Sequence, residues 1–145
     1  MMTDEFFMRE AIREAEKAFA RDEVPVGCVV VAAGRVIARA HNLTETLNDV
    51  TAHAEMQAMT AAFSHLGGKY LTDCTVYITL EPCPMCAGAL FWARPERIVF
   101  GAHDPKNGYL KHHPSLLHPK TTINAGIMAE EAAAMMRQFF QSKRY

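Results

Sequence analysis

Two short stretches hold residues whose types and spacing could do chemistry together: His53-Ala54-Glu55 and Pro82-Cys83-Pro84-Met85-Cys86. Cys83 and Cys86 are three apart, so on one helical turn their sulfurs face the same way. His53 supplies a third metal donor from elsewhere in the chain. Three protein ligands leave a fourth tetrahedral position for water, the arrangement of a catalytic zinc rather than a structural one. Glu55 stands two residues from His53, a spacing that turns it off the metal-facing row of a helix. Its chemistry is then proton transfer, and the expected cofactor is one Zn(2+) per chain.

The rest of the composition sets bounds on this reading. A chain of 145 residues, half apolar and a fifth charged, fits one globular domain spanning 1–145. The formal net charge is −1, so any nucleic-acid contact must come from a local basic patch rather than a global field. Cys28 and Cys74 lie in apolar runs and read as small buried hydrophobes, not as a disulfide framework. The acidic start, Met1 to Glu5, has no charged-then-apolar leader pattern, and no run is apolar enough to span a bilayer. The expected location is a reducing cytoplasm, with no membrane partner.

The elements that must position the site follow from periodicity. Thr3 and Asp4 can cap a first helix whose apolar face runs Met8, Ala11, Ile12, Ala15, Ala18 and Phe19. Its opposite face, Arg9, Glu10, Arg13, Glu14 and Lys17, reads as solvated. Val26–Val31 is a buried strand, Ala33-Gly34 a turn, and Arg35–Ala40 the second arm of a hairpin. Gly27 is open to two readings, close approach to a ligand or close strand packing. Asn42 follows the hairpin with a carbonyl and two N–H donors suited to a base edge or a ribose hydroxyl.

Thr51 is a plausible N-cap for a helix over 52–66, which puts His53 and Glu55 in its first turn and ends at Gly67-Gly68. A strand over 74–80 runs into Glu81-Pro82, where proline opens a helix carrying Cys83 and Cys86. Arg97–Gly101 is another strand, and Thr121–Ile123 a short edge strand. Strand–helix–strand spacing around both motifs implies parallel strands, with the two metal-bearing helix starts at the strands' carboxyl ends. A last amphipathic helix carries Met128, Ala132, Met135, Met136, Phe139 and Phe140, read as core. His112, His113 and His118 sit in a Pro-rich loop and read as surface histidines, with a second metal site as the alternative.

The pattern H-x-E…P-C-x-x-C, with Glu23–Gly27, Asn42, Thr51–Glu55, Leu80–Ala89, Val99–Ala102, Asp104 and the looser Gly126–Glu131, resembles the cytidine deaminase-like superfamily, and within it the tRNA adenosine deaminases. The resemblance implies an α/β fold with three α/β/α layers around a five-stranded mixed sheet. It also implies a homodimer, and deamination of wobble adenosine to inosine in tRNA anticodons. By motif position it assigns zinc to His53, Cys83 and Cys86, proton shuttling to Glu55, and substrate contacts to Asn42 and Asp104. Lys106, Lys111, Lys120, Lys143 and Arg144 are candidate phosphate contacts.

Two features depart from that likeness. The stretch after Gly108 shortens to Tyr109-Leu110-Lys111 before His112-His113-Pro114. Asn48-Asp49, Pro84-Met85 and Trp92–Pro95 also resemble free guanine deaminases, so a free-base deaminase of guanine or cytosine is the alternative. Glu23–Gly27 and Val99–Ala102 favour the tRNA enzymes.

Overall fold

The computed structural model describes residues 2–143. Arg144, one of the candidate phosphate contacts, lies outside the described residues. A helix α1 (Asp4–Ala20) precedes the hairpin β1 (Gly27–Ala32) and β2 (Arg35–His41). Then come α2 (Ala54–Leu66), β3 (Cys74–Leu80), α3 (Pro84–Ala93), β4 (Arg97–Ala102), β5 (Thr122–Ala125) and α4 (Ala129–Ser142).

The five strands form one sheet in the order β2-β1-β3-β4-β5. β1 runs antiparallel to both β2 and β3, while β3–β4 and β4–β5 are parallel. The sheet is therefore mixed. The expected parallel relation around α2 holds only in direction, because β1 lies between β2 and β3 and runs the other way. The hairpin that causes this turns at Ala33 and Gly34, both at positive φ, matching the right-handed twist of a tight two-residue turn.

Alternation along each central strand builds the three layers. Cys28, Val30, Val76, Ile78, Ile98 and Phe100 point into a core shared with α2 and α3. Their neighbours Val29, Val31, Tyr77 and Val99 point into a second core under α1 and α4. Side chains of period two on a sheet covered on both faces give this sorting, and explain why the strands read as continuous apolar runs.

α1 starts as its sequence suggests: the Thr3 hydroxyl accepts the Phe6 N–H at 3.2 Å. Its polar face is not wholly solvated. Glu14 is buried, takes Lys17 at 2.6 Å and faces His41 Nδ1 at 3.1 Å. Gly27 resolves to packing. A Cβ there would stand 2.0 Å from the Ala11 carbonyl oxygen and 2.6 Å from the Ala15 nitrogen, so α1 lies directly on the strand. At the far end of α1, Asp4 accepts the Tyr77 hydroxyl at 2.7 Å and Arg97 Nη1 at 2.8 Å, tying the helix start to β3 and β4.

Candidate active site

Both helices that carry the motifs begin two residues later than their sequence suggests. α2 starts at Ala54 with His53 as its N-cap, in extended conformation and making no side-chain capping bond. Thr51 does not cap it; its N–H and hydroxyl both go to Asp49 Oδ1, at 2.8 and 2.7 Å. The His53 ring is thereby free to turn inward. α3 starts at Pro84, with Cys83 as its N-cap and the Cys83 sulfur accepting the Cys86 N–H at 3.5 Å. Pro84, rather than Pro82, takes the first helical position, where a missing N–H costs nothing. Cys83 and Cys86 thus flank one N-terminal turn, whose amides and dipole favour a thiolate.

His53 Nδ1 lies 3.6 Å from Cys83 Sγ and 3.5 Å from Cys86 Sγ. The three donor atoms fall within 4.8 Å of one another, and they are the single such group of three among the described residues. A tetrahedral zinc with Zn–S of about 2.3 Å and Zn–N of about 2.0–2.1 Å sets N···S at about 3.6 Å, so the spacing fits that ion. Two thiolates and an imidazole are also the soft donor set that zinc takes. The proton balance of the cluster points the same way. The Cys86 thiol, with His53, pulls Cys83 down to about 4, and Cys83 in return pushes Cys86 up. His53 is raised, chiefly by Cys83.

Glu55 is the second residue of α2 and only 3% exposed. Burial pushes its carboxyl up to about 7; its own backbone N–H, His53 and the Cys86 thiol partly oppose that. The side chain faces a cavity of about 1010 Å³, whose floor is His53, Ala54, Glu55 and Cys83. The cavity opens where β2, β3 and β4 end, the place at which open α/β sheets leave a crevice.

The remaining expected residues divide. Asn42 lines the cavity and is buried, but part of its capacity is committed: Oδ1 accepts Thr44 N–H at 3.2 Å, and Nδ2 reaches the Val24 carbonyl at 3.4 Å. Asp104 also lines it, yet its Oδ1 accepts the amides of Lys106 and Asn107, at 3.1 and 3.0 Å. Asp104 therefore shapes its loop. Of the candidate phosphate contacts, Lys106 is on the cavity wall. Lys111 Nζ spans back to the Lys106 carbonyl at 3.4 Å, Lys143 pairs with Asp22, and Lys120 is exposed.

His112 and His113 are exposed, and His118 stacks on Phe91 with centroids 5.4 Å apart. None of the three enters the metal-capable group.

One wall escaped the sequence. Met136, Arg137, Phe140 and Gln141 of α4 face the cavity. The apolar stripe expected as core is split, with Ala132 and Phe139 buried beneath and Met136 and Phe140 turned to the cavity. No sequence signal marked it, since Met136 and Phe140 repeat at four residues as a buried face does.

The chain's residues 1–102 match the family model described as the cytidine and deoxycytidylate deaminase zinc-binding region. The chain belongs to this deaminase family. A tRNA-specific adenosine deaminase of Bacillus subtilis (strain 168) is 46% identical, over 99% of this chain and 92% of its own length. A solved structure from a study of A-to-I editing by tRNA:A34 deaminases, at the wobble position of transfer RNA, superposes with a TM-score of 0.83. It is 44% identical and covers 89% of this chain and 97% of the other. A guanine deaminase of Bacillus subtilis is 42% identical with a TM-score of 0.68, over 70% of this chain and 66% of the other. The five-stranded mixed sheet is the deaminase fold of these relatives, and the likeness to the tRNA enzymes runs nearly the whole chain.

Proposed function

We propose that this deaminase converts the wobble adenosine of a tRNA anticodon to inosine, releasing ammonia. The observation that carries the reading is the buried Glu55 carboxylate, set in the cavity wall beside His53, Cys83 and Cys86. Those three residues would hold one zinc ion, which when bound supplies Lewis acidity that brings the pKa of water from about 15.7 to near 7. Glu55 takes a proton from the attacking water. It returns protons to the ring nitrogen and to the departing amine, so that water is consumed and ammonia leaves. Its position under the cavity keeps both transfers within reach of one carboxylate.

Asn42 gives the nucleoside its remaining amide valences. Lys106 and Arg137 both line the cavity, where they would meet phosphates flanking an extruded base, and Phe140 offers an aromatic face for a neighbouring base. An RNA substrate bound this way loses affinity steeply as salt rises. A free-base deaminase of guanine or cytosine would use the same zinc and Glu55, but the open, cation-edged cavity and the extent of the tRNA-enzyme likeness favour RNA.

A second copy of the chain as partner is supported by α3, which is apolar on every side and leaves Met85 and Trp92 outward, Trp92 at 70% exposure. No helix of the described residues is long and apolar enough to cross a membrane. The reading carries a cytoplasmic location with it, where tRNA is matured.

Ammonia release decides between substrates. Zinc-loaded protein should form inosine in an anticodon stem-loop bearing adenosine at the wobble position, and should leave free guanine, adenine and cytosine unchanged. Turnover of a free base with inert RNA would make it a free-base enzyme and overturn the proposal.

A further inference from the structure

Glu81 lies on the cavity wall two residues before Cys83, and it is 4% exposed. Its contacts all run to one loop. Oε1 accepts the Asp104 N–H at 3.1 Å and faces His103 Nδ1 at 3.2 Å, while Oε2 accepts the Leu110 N–H at 3.0 Å. The main chain repeats the attachment: Glu81 N–H donates to the Ala102 carbonyl at 2.8 Å, and the Pro82 carbonyl accepts Tyr109 N–H at 2.9 Å. Gly108 closes the wrap. A Cβ there would stand 2.0 Å from Glu81 Oε2 and 2.6 Å from the Asp104 carbonyl oxygen. Residues 103–110 are therefore folded around a single side chain.

The loop held in this way presents Asp104, Pro105, Lys106 and Asn107 to the cavity. Asp104 is occupied by the Lys106 and Asn107 amides, which leaves the Lys106 ammonium and the Asn107 carboxamide to meet a ligand. Three loop donors engage both of its oxygens, which makes Glu81 an anchor for the loop rather than a carboxylate free to exchange protons with a base.

We infer that Glu81 is a positioning residue for substrate binding: through the 103–110 loop it sets Lys106 and Asn107 against the phosphodiester-linked nucleotide, and it takes no part in proton transfer. The inference rests on the RNA reading above. A glutamine at this position must aim its NH₂ group at an N–H donor whichever way it turns, which leaves a buried clash of donors.

The test uses the zinc-loaded full chain and an anticodon stem-loop, with metal content, amide hydrogen exchange and steady-state kinetics read on each variant. Glu81→Gln should keep about one zinc per chain, since its ligands are untouched. KM for the RNA should rise about tenfold or more while kcat stays within about threefold. Exchange should quicken at residues 104–110 and stay slow in α2 and α3. Gly108→Ala keeps the carboxylate but fills its cradle, and should give the same pattern. It decides the matter even if Glu81→Gln does not fold. A fall in kcat with KM unchanged, or an unaltered loop exchange, overturns the inference. If wild-type protein makes no inosine, the RNA reading itself fails, and the exchange measurement still reports whether Glu81 holds the loop.

Discussion

Glu55 and Glu81 line one cavity and are buried to nearly the same degree, 3% and 4% exposed, yet their surroundings differ. Both oxygens of Glu81 are engaged, by Asp104, Leu110 and His103. Glu23, fully buried, is its counterpart for a second loop: it takes Glu45 N–H at 3.0 Å, Thr46 N–H at 2.7 Å and the Thr46 hydroxyl at 2.6 Å, and so fixes the loop that follows Asn42. Glu55 meets only its own backbone N–H and the Cys86 thiol, and burial carries it up to about 7. Burial alone thus does not assign a carboxylate its work. Fixed backbone donors make it a structural post, and open valences in a cavity make it a proton carrier.

That contrast can be broken most sharply at Glu55. Glu55→Gln keeps the shape and loses the proton capacity, and should cost on the order of 10²–10⁴ in kcat with zinc retained, read by inosine formation at saturating RNA. A loss of less than tenfold would put the proton carrier elsewhere.

Glu23 should answer in stability instead. Glu23→Gln sets an amide donor against the Thr46 and Glu45 donors and should destabilise the fold by about 1–3 kcal/mol in urea unfolding. The pH dependence sharpens this. Burial raises the Glu23 carboxyl, but the Thr46 hydroxyl and the Thr46 and Glu45 amides outweigh it and hold the folded value below the usual range. A depressed folded value gives stability that is complete above the unfolded value of about 4.3 and fades as pH falls through the folded one. Wild-type protein should lose that increment below about pH 4.3, and Glu23→Gln should show no such loss.

The smallest effect belongs to the far end of the molecule. Asp4, held low mainly by Arg97, is partly exposed, and Asp4→Asn should cost less than about 1 kcal/mol, a difference that shrinks in high salt.

The donor set was legible in the chain because short spacings carry it: two cysteines three apart, and a histidine two before a glutamate. The alternating cores were legible too, since every central strand is apolar on both faces. The helix starts were displaced because Thr51 and Pro82 are good start signals that lose to His53 and Cys83, whose side chains are directed at each other. The antiparallel β1 between β2 and β3 follows from hairpin geometry that crossover spacing does not encode.

The loop posts were invisible because Glu23 and Glu81 work on backbone amides 22 to 29 residues away, which no local pattern marks. The α4 wall was hidden for another reason. Met136 and Phe140 repeat at four residues, as a buried face does, and only the packing separates cavity from core.

Zinc content and inosine formation, measured together on wild-type protein, Glu55→Gln and Glu81→Gln, test the central claim most directly. The account predicts about one zinc per chain in all three, a kcat lower by on the order of 10²–10⁴ at saturating RNA for Glu55→Gln, and near wild-type kcat with a raised KM for Glu81→Gln. Equal losses of kcat in the two variants would contradict it.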